Sequence, residues 1–166
     1  ITKIDKRTAL VIVDLQHGIV ALDLCHPVEQ VISNCCQLIQ TFRQHSLPIV
    51  FVNVAGAAPG RTDNAQSHTP KPESWSQLID ELKPQAHDIL ITKKTWGAFT
   101  HTDLHSRLSS HNITQLVIGG LVTSMGVEST ARQGFELGYN ISLPTDAMSD
   151  FTQSLHQHSV TSIFPK

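Results

Sequence analysis

The chain has 166 residues, 40% hydrophobic and 16% charged, which suits a single domain over 1–166 with a sizeable core. A formal charge of −2 carries no basic footprint, so nucleic acid is not an expected partner. No apolar run approaches the roughly 20 residues that span a membrane, so no membrane partner is expected either. The first residues, Ile1-Thr2-Lys3-Ile4-Asp5-Lys6, lack the apolar segment of a secretory signal. The cysteines Cys25, Cys35 and Cys36 are odd in number and show no C-x-x-C spacing. That pattern speaks for a reducing, cytoplasmic setting and against a disulfide framework or a structural zinc site.

Thr8-Ala9-Leu10-Val11-Ile12-Val13 is a continuous apolar run, as in a strand buried on both faces, and it ends at Asp14-Leu15-Gln16. A carboxylate at the carboxyl end of a central strand stands where α/β folds keep their sites; a cap or turn role would also suit Asp14. From Pro27 to Ser46, Val28, Val31, Ile32, Cys35, Leu38, Ile39 and Phe42 trace the stripe of an amphipathic helix. Cys35 is a core residue of that stripe and Cys36 lies on its flank. Pro48 to Asn53 reads as a second buried strand. Residues 54–72 have the composition of a long surface loop, where Arg61 is placed either to meet an anionic substrate or to stay solvated.

Trp75, Leu78, Ile79 and Leu82 suggest a short helix stopped by Pro84, and His87 to Thr92 a third strand. That strand runs into Lys93-Lys94-Thr95-Trp96-Gly97-Ala98-Phe99. One lysine there can offer a fixed positive charge to a carboxylate or oxyanion while the other points away, unless both are solvated. Thr102, Leu104 and Leu108 open another helix. His101 and His105 have the spacing of two metal ligands on it, but no carboxylate arm accompanies them.

Leu116-Val117-Ile118-Gly119-Gly120 is a β-branched run meeting two glycines, followed by small and polar residues and then a helical pattern. A buried strand turning tightly into a helix reads this way, which makes 121–127 either the floor of a site or an ordinary turn. The helix sets Val127, Ala131 and Phe135 on one face, pairs Glu128 with Arg132, and stops at Gly138. Tyr139 to Pro144 is a fifth strand, and residues 152–163 are helical. Strands alternating with helices predict a three-layer α/β/α fold around a doubly wound, mostly parallel sheet of five to six strands. Neither G-x-G-x-x-G nor G-x-x-x-x-G-K-[ST] occurs, so a dinucleotide or nucleotide triphosphate is not an expected ligand.

Ala9-Leu10-Val11-Ile12-Val13-Asp14-Leu15-Gln16, Lys93 with Gly97-Ala98-Phe99 and Thr102-Asp103-Leu104, and Gly120 to Arg132 stand in a fixed order. With Glu136-Leu137-Gly138-Tyr139 and Asp146-Ala147, they resemble the isochorismatase-like cysteine hydrolases, a family of nicotinamidases, carbamoyl-amide hydrolases and isochorismatases. The resemblance implies a sheet of about six strands, Asp14 as acid/base carboxylate and Lys93 as its charged partner. It also implies a cis peptide at Val122–Thr123 that turns N–H groups inward; Gln16, Arg61, Trp96, Phe99, Val122 and Thr123 are the expected substrate contacts. The family's chains usually continue past Phe164-Pro165 into a last strand or helix.

The departures from the family pattern narrow the chemistry. Gly126 stands where the amidase members have their cysteine nucleophile, and Cys25, Cys35 and Cys36 fall in other segments. Residues 53–68 lack the Asp-x-His pattern of the nicotinamidase metal site, His68 standing alone. Some isochorismatases share the glycine and hydrolyse a vinyl ether, which needs a general acid and water but no covalent intermediate. The expectation is therefore a hydrolase of a small anionic substrate, without metal or cofactor, acting through Asp14 as a homodimer or homotetramer. The alternative is a non-catalytic small-molecule binder that kept the pocket.

Overall fold

The structure is a computed structural model that describes residues 3–63 and 71–166. Six strands form one sheet: β1 (Thr8–Val13), β2 (Ile49–Val54), β3 (Ile89–Lys93), β4 (Gln115–Leu121), β5 (Asn140–Ser142) and β6 (Met148–Ser149). The order is β3-β2-β1-β4-β5, with β6 also pairing β4, and every pairing is parallel. The helices are α1 (His17–Val20), α2 (Val28–Gln44), α3 (Leu104–Ser110), α4 (Glu128–Glu136) and α5 (Gln153–His158).

The alternation of side chains along β1 explains the layers. Ala9, Val11 and Val13 enter a core with Leu104 and Leu108 of α3 and Ala131 of α4. Leu10 and Ile12 point the other way, into a core with Val31, Cys35, Ile39 and Phe42 of α2. Every residue of β1 is buried, so an unbroken apolar run was required, not an alternating one.

From β1 the chain moves outward through β2 and β3, then returns to place β4 on β1's other side. Connections therefore leave the ends of β1 and β4 in opposite directions, opening the crevice where doubly wound sheets bind ligands. The register sets Val13 opposite Gly120. There Gly120 has φ +118°, and a Cβ on it would fall 2.0 Å from the Val13 carbonyl oxygen, so only glycine fits.

Several expected elements differ in extent. The segment around Trp75 forms two 3-10 turns, Glu73–Ser76 and Asp80–Leu82, because Gln16 and Leu78 make an antiparallel bridge that interrupts any helix. β3 starts at Ile89, since the Asp88 carboxylate accepts from the Gln85 N–H at 2.7 Å and from Arg43 at 3.1 Å. Phe135 does not share the buried face of α4 and is 65% exposed. The helix turns Thr130, Ala131 and Gly134 to the sheet instead, and the bare Cα of Gly134 permits close approach to Ile141 and Leu116. Residues 152–163 are helical as α5 followed by a π-helical turn, Ser159–Ile163. Within the 54–72 loop, 64–70 and hence His68 lie outside the described residues. No helix of the described residues is long and apolar enough to cross a membrane.

Candidate active site

Asp14 directly follows β1 and has φ +54°, a left-handed conformation that aspartate tolerates better than most residues. Its N–H donates to the Val52 carbonyl at 2.8 Å, which pins the strand end. Lys93 is the last residue of β3, two strands from β1 and so about 10 Å away. Its stem crosses that distance, and Nζ donates to Asp14 Oδ2 at 2.6 Å and to the Thr95 carbonyl at 3.1 Å. Both side chains are buried. Of the two neighbouring lysines, Lys93 faces inward and Lys94 is exposed.

Asp14 Oδ1 is also buried and has no hydrogen-bond partner among the described residues. Burial pushes the carboxyl up from its ordinary 3.8 to about 6, against the opposing pull of the Lys93 ammonium and its hydrogen bond. Desolvation outweighs the lysine. The carboxyl thus keeps a protonated fraction of about a tenth at pH 7, despite a cation in contact.

The end of β4 makes the floor. The cis peptide lies at Leu121–Val122, not at the expected Val122–Thr123. Val122's carbonyl is already the first acceptor of the next turn, from Met125 N–H at 3.2 Å and Val127 N–H at 3.3 Å, which commits the bond after it to helical geometry. That turn, Thr123–Val127, is π-helical and leads straight into α4. Asp150 holds it from below, its Oδ2 accepting the Ser124 N–H at 2.6 Å. Gly126 lies so close to the carboxylate that a Cβ there would stand 3.0 Å from Asp14 Oδ2. Thr130, one turn on, donates to the Gly126 carbonyl at 2.7 Å and accepts the Ala98 N–H at 3.1 Å.

Above this floor opens a cavity of about 690 Å³. Asp14, Lys93, Gly126, Val122, Arg61 and Trp96 all line it, so six of the nine residues named from sequence converge. The other three stand behind its walls. Gln16 is fully buried, with Nε2 donating to the Val54 and Trp75 carbonyls and Oε1 accepting the Val54 N–H. Phe99 stacks on Tyr139 in the core, and Thr123 Oγ1 is 2.9 Å from His156 Nδ1. All three brace the site from outside the lining, because their polar or apolar groups are already satisfied by protein.

Sequence reasoning missed Ser129 and Gln133, which also line the cavity. They follow Gly126 by three and seven residues, so helical spacing alone signals them. Trp75 and Phe151 also line it, and no local signal marks them, since they arrive from distant turns. Among the described residues, four cations, Arg61, Lys71, Lys93 and Lys94, line the cavity against the single carboxylate of Asp14, a balance that favours an anionic occupant. Among the described residues no group of three or more His, Cys, Asp or Glu is arranged to hold a metal ion.

Comparisons with known proteins agree with this architecture. The isochorismatase domain profile matches residues 8–166. The chain is 42% identical to YwoC of Bacillus subtilis (strain 168), an uncharacterized isochorismatase family protein, over 97% of this chain and 87% of that one. It is 31% identical to the ureidoacrylate amidohydrolase RutB of Pseudomonas savastanoi pv. phaseolicola, over 95% of this chain and 78% of that one. The structure of an isochorismatase family protein from Burkholderia thailandensis superposes with a TM-score of 0.93 at 36% identity, covering 98% of this chain and 89% of that one. By sequence and by fold alike, this chain belongs to the isochorismatase family.

Proposed function

We propose that this chain is a hydrolase of a small anionic metabolite, working by general acid catalysis from Asp14 with neither a thioester intermediate nor a metal ion. The observation that carries this reading is the buried, unpartnered Oδ1 of Asp14, on a carboxyl whose pKa stands at about 6. A protonated carboxyl can deliver a proton to the methylene carbon of a vinyl ether. Water then adds to the oxocarbenium carbon, and the hemiketal collapses to pyruvate and the ring alcohol. Lys93 stabilises the carboxylate left behind until water reprotonates it.

Gly126 fits this chemistry because it offers no nucleophile and leaves room beside Asp14 for water or substrate. RutB is named for cleaving an amide. In this chain a thiol route at the matching position is closed by the glycine, which favours the ether reaction. Arg61 and Lys94 at the cavity mouth would take the substrate's carboxylate, with Trp96 and Val122 against its body. Gln16, Phe99 and Thr123 serve as supports in this scheme.

The test is pyruvate release from isochorismate by the wild-type protein and by Asp14→Asn. Loss of roughly a hundredfold or more in the variant is expected for removal of a general acid. The wild-type kcat/KM should also fall as pH rises through about 6, since only the protonated carboxyl is competent. Undiminished turnover by Asp14→Asn would rule the acid role out. Saturable binding of isochorismate without release would make the chain a small-molecule binder instead. The same reading has the chain as a homodimer or homotetramer, which sedimentation velocity measures directly; a monomer at micromolar concentration would contradict it.

A further inference from the structure

Beneath the floor of the cavity, beside β6, three chemically active side chains meet at one point. Cys25 Sγ is 3.4 Å from His26 Nδ1 and 3.6 Å from Ser149 Oγ, and those two are 3.1 Å from each other. Ser149 Oγ also accepts the His26 N–H at 3.1 Å, so its own hydrogen is left to donate. The His156 ring packs edge-on against His26 with centroids 4.7 Å apart. None of these groups takes part in the chemistry of Asp14.

The other two thiols differ in kind. Cys35 is buried and directed at the Ala147 carbonyl, and burial pushes it up to about 12. Cys36 is directed at the Glu81 carbonyl, and burial together with the Glu81 charge pushes it up as well. A carbonyl oxygen can accept a hydrogen bond but cannot carry the proton away. Cys25 alone of the three faces an imidazole nitrogen, which can. It is half-buried, as Cys36 is, so burial alone does not separate those two thiols.

We propose that Cys25, His26 and Ser149 form an oxidation site for hydrogen peroxide. His26 Nδ1 takes the thiol proton, and the thiolate attacks the nearer peroxide oxygen while Ser149 donates a hydrogen bond to it. The S–O bond forms as the O–O bond breaks, sulfur losing two electrons and peroxide gaining them. The departing hydroxide recovers the proton from His26, so the products are a sulfenic acid on Cys25 and one water. The consequence would reach the cavity. Cys25 N–H donates to the Asp150 carbonyl at 2.8 Å, the Asp150 carboxylate holds Ser124 in the floor, and the adjoining Phe151 lines the cavity.

The full chain is treated with hydrogen peroxide and dimedone, then digested with Glu-C, which cuts at Glu29 between Cys25 and the other two thiols. Mass spectrometry should find the dimedone adduct on Cys25 in about tenfold excess over Cys36, and His26→Gln should cut the Cys25 yield about tenfold. Equal labelling of Cys25 and Cys36, both half-buried, would overturn the proposal. So would undiminished labelling of Cys25 in a His26→Gln protein with a wild-type thermal melt. If His26→Gln fails to fold, the ratio between Cys25 and Cys36 in the wild-type chain decides alone.

Discussion

Asp14 is where two opposed electrostatic effects meet, and their balance has a measurable consequence for stability. Its carboxyl is raised from 3.8 to about 6 on folding, so between those values the native state holds a proton that the unfolded chain has released. Its contribution is therefore fully present below about pH 4 and is lost as pH rises through about 6. Relative to Asp14→Asn, the wild-type unfolding free energy should fall by about 2 kcal/mol between pH 4 and pH 7. Urea titrations of both proteins at several pH values read this slope directly. A difference that rises with pH would mean the lysine outweighs burial, and the residue would then be a poor acid.

The elements matter through how closely they approach and what joins them. β1 and β4 come together at Val13 and Gly120, where the glycine's positive φ and the nearby carbonyl leave no space for a side chain. Gly120→Ala should cost about 4 kcal/mol or more, because the obstructing atom is backbone in a fully buried strand and cannot yield. Circular dichroism and yield of soluble protein check this, and a wild-type melting temperature would refute it.

α4 is stapled to the loop after β3 by Thr130, which serves Gly126 and Ala98 together, and by Gln133, which accepts the Phe99 N–H and donates to Thr100. Thr130→Val keeps the volume but orphans the buried Ala98 N–H, so a loss of about 1–3 kcal/mol is expected in urea unfolding. Thr130→Ser should recover most of it. An equal loss in both variants would assign the effect to packing and not to the hydroxyl.

At the scale of the molecule, the site exists because the chain reverses its direction of strand addition beside β1. Asp14, Lys93 and Gly126 lie on three separate segments, and the reversal collects their ends into one crevice. By itself the sequence determined the layer architecture, since an apolar run buried on two faces and an amphipathic α2 stripe admit few other packings. It also marked the floor turn, through Gly119-Gly120 and the small residues after it, and the i, i+4 pair of Glu128 and Arg132, seen at 2.9 Å. These are local signals, carried by spacing and backbone sterics.

Only the tertiary structure decided which groups face the cavity and which merely support it. Gln16 reads like a ligand contact beside Asp14, yet its amide is consumed by Val54 and Trp75, residues that local spacing does not connect to it. Phe135 fits a helical stripe, but α4 rotates to bring Gly134 against β5 and leaves the ring outside. The charge state of Asp14 is likewise a tertiary property. Lys93 could be matched to it from sequence, but the depth of burial that outweighs the lysine depends on how four segments close around one carboxyl, because desolvation is a sum over everything packed within a few ångströms.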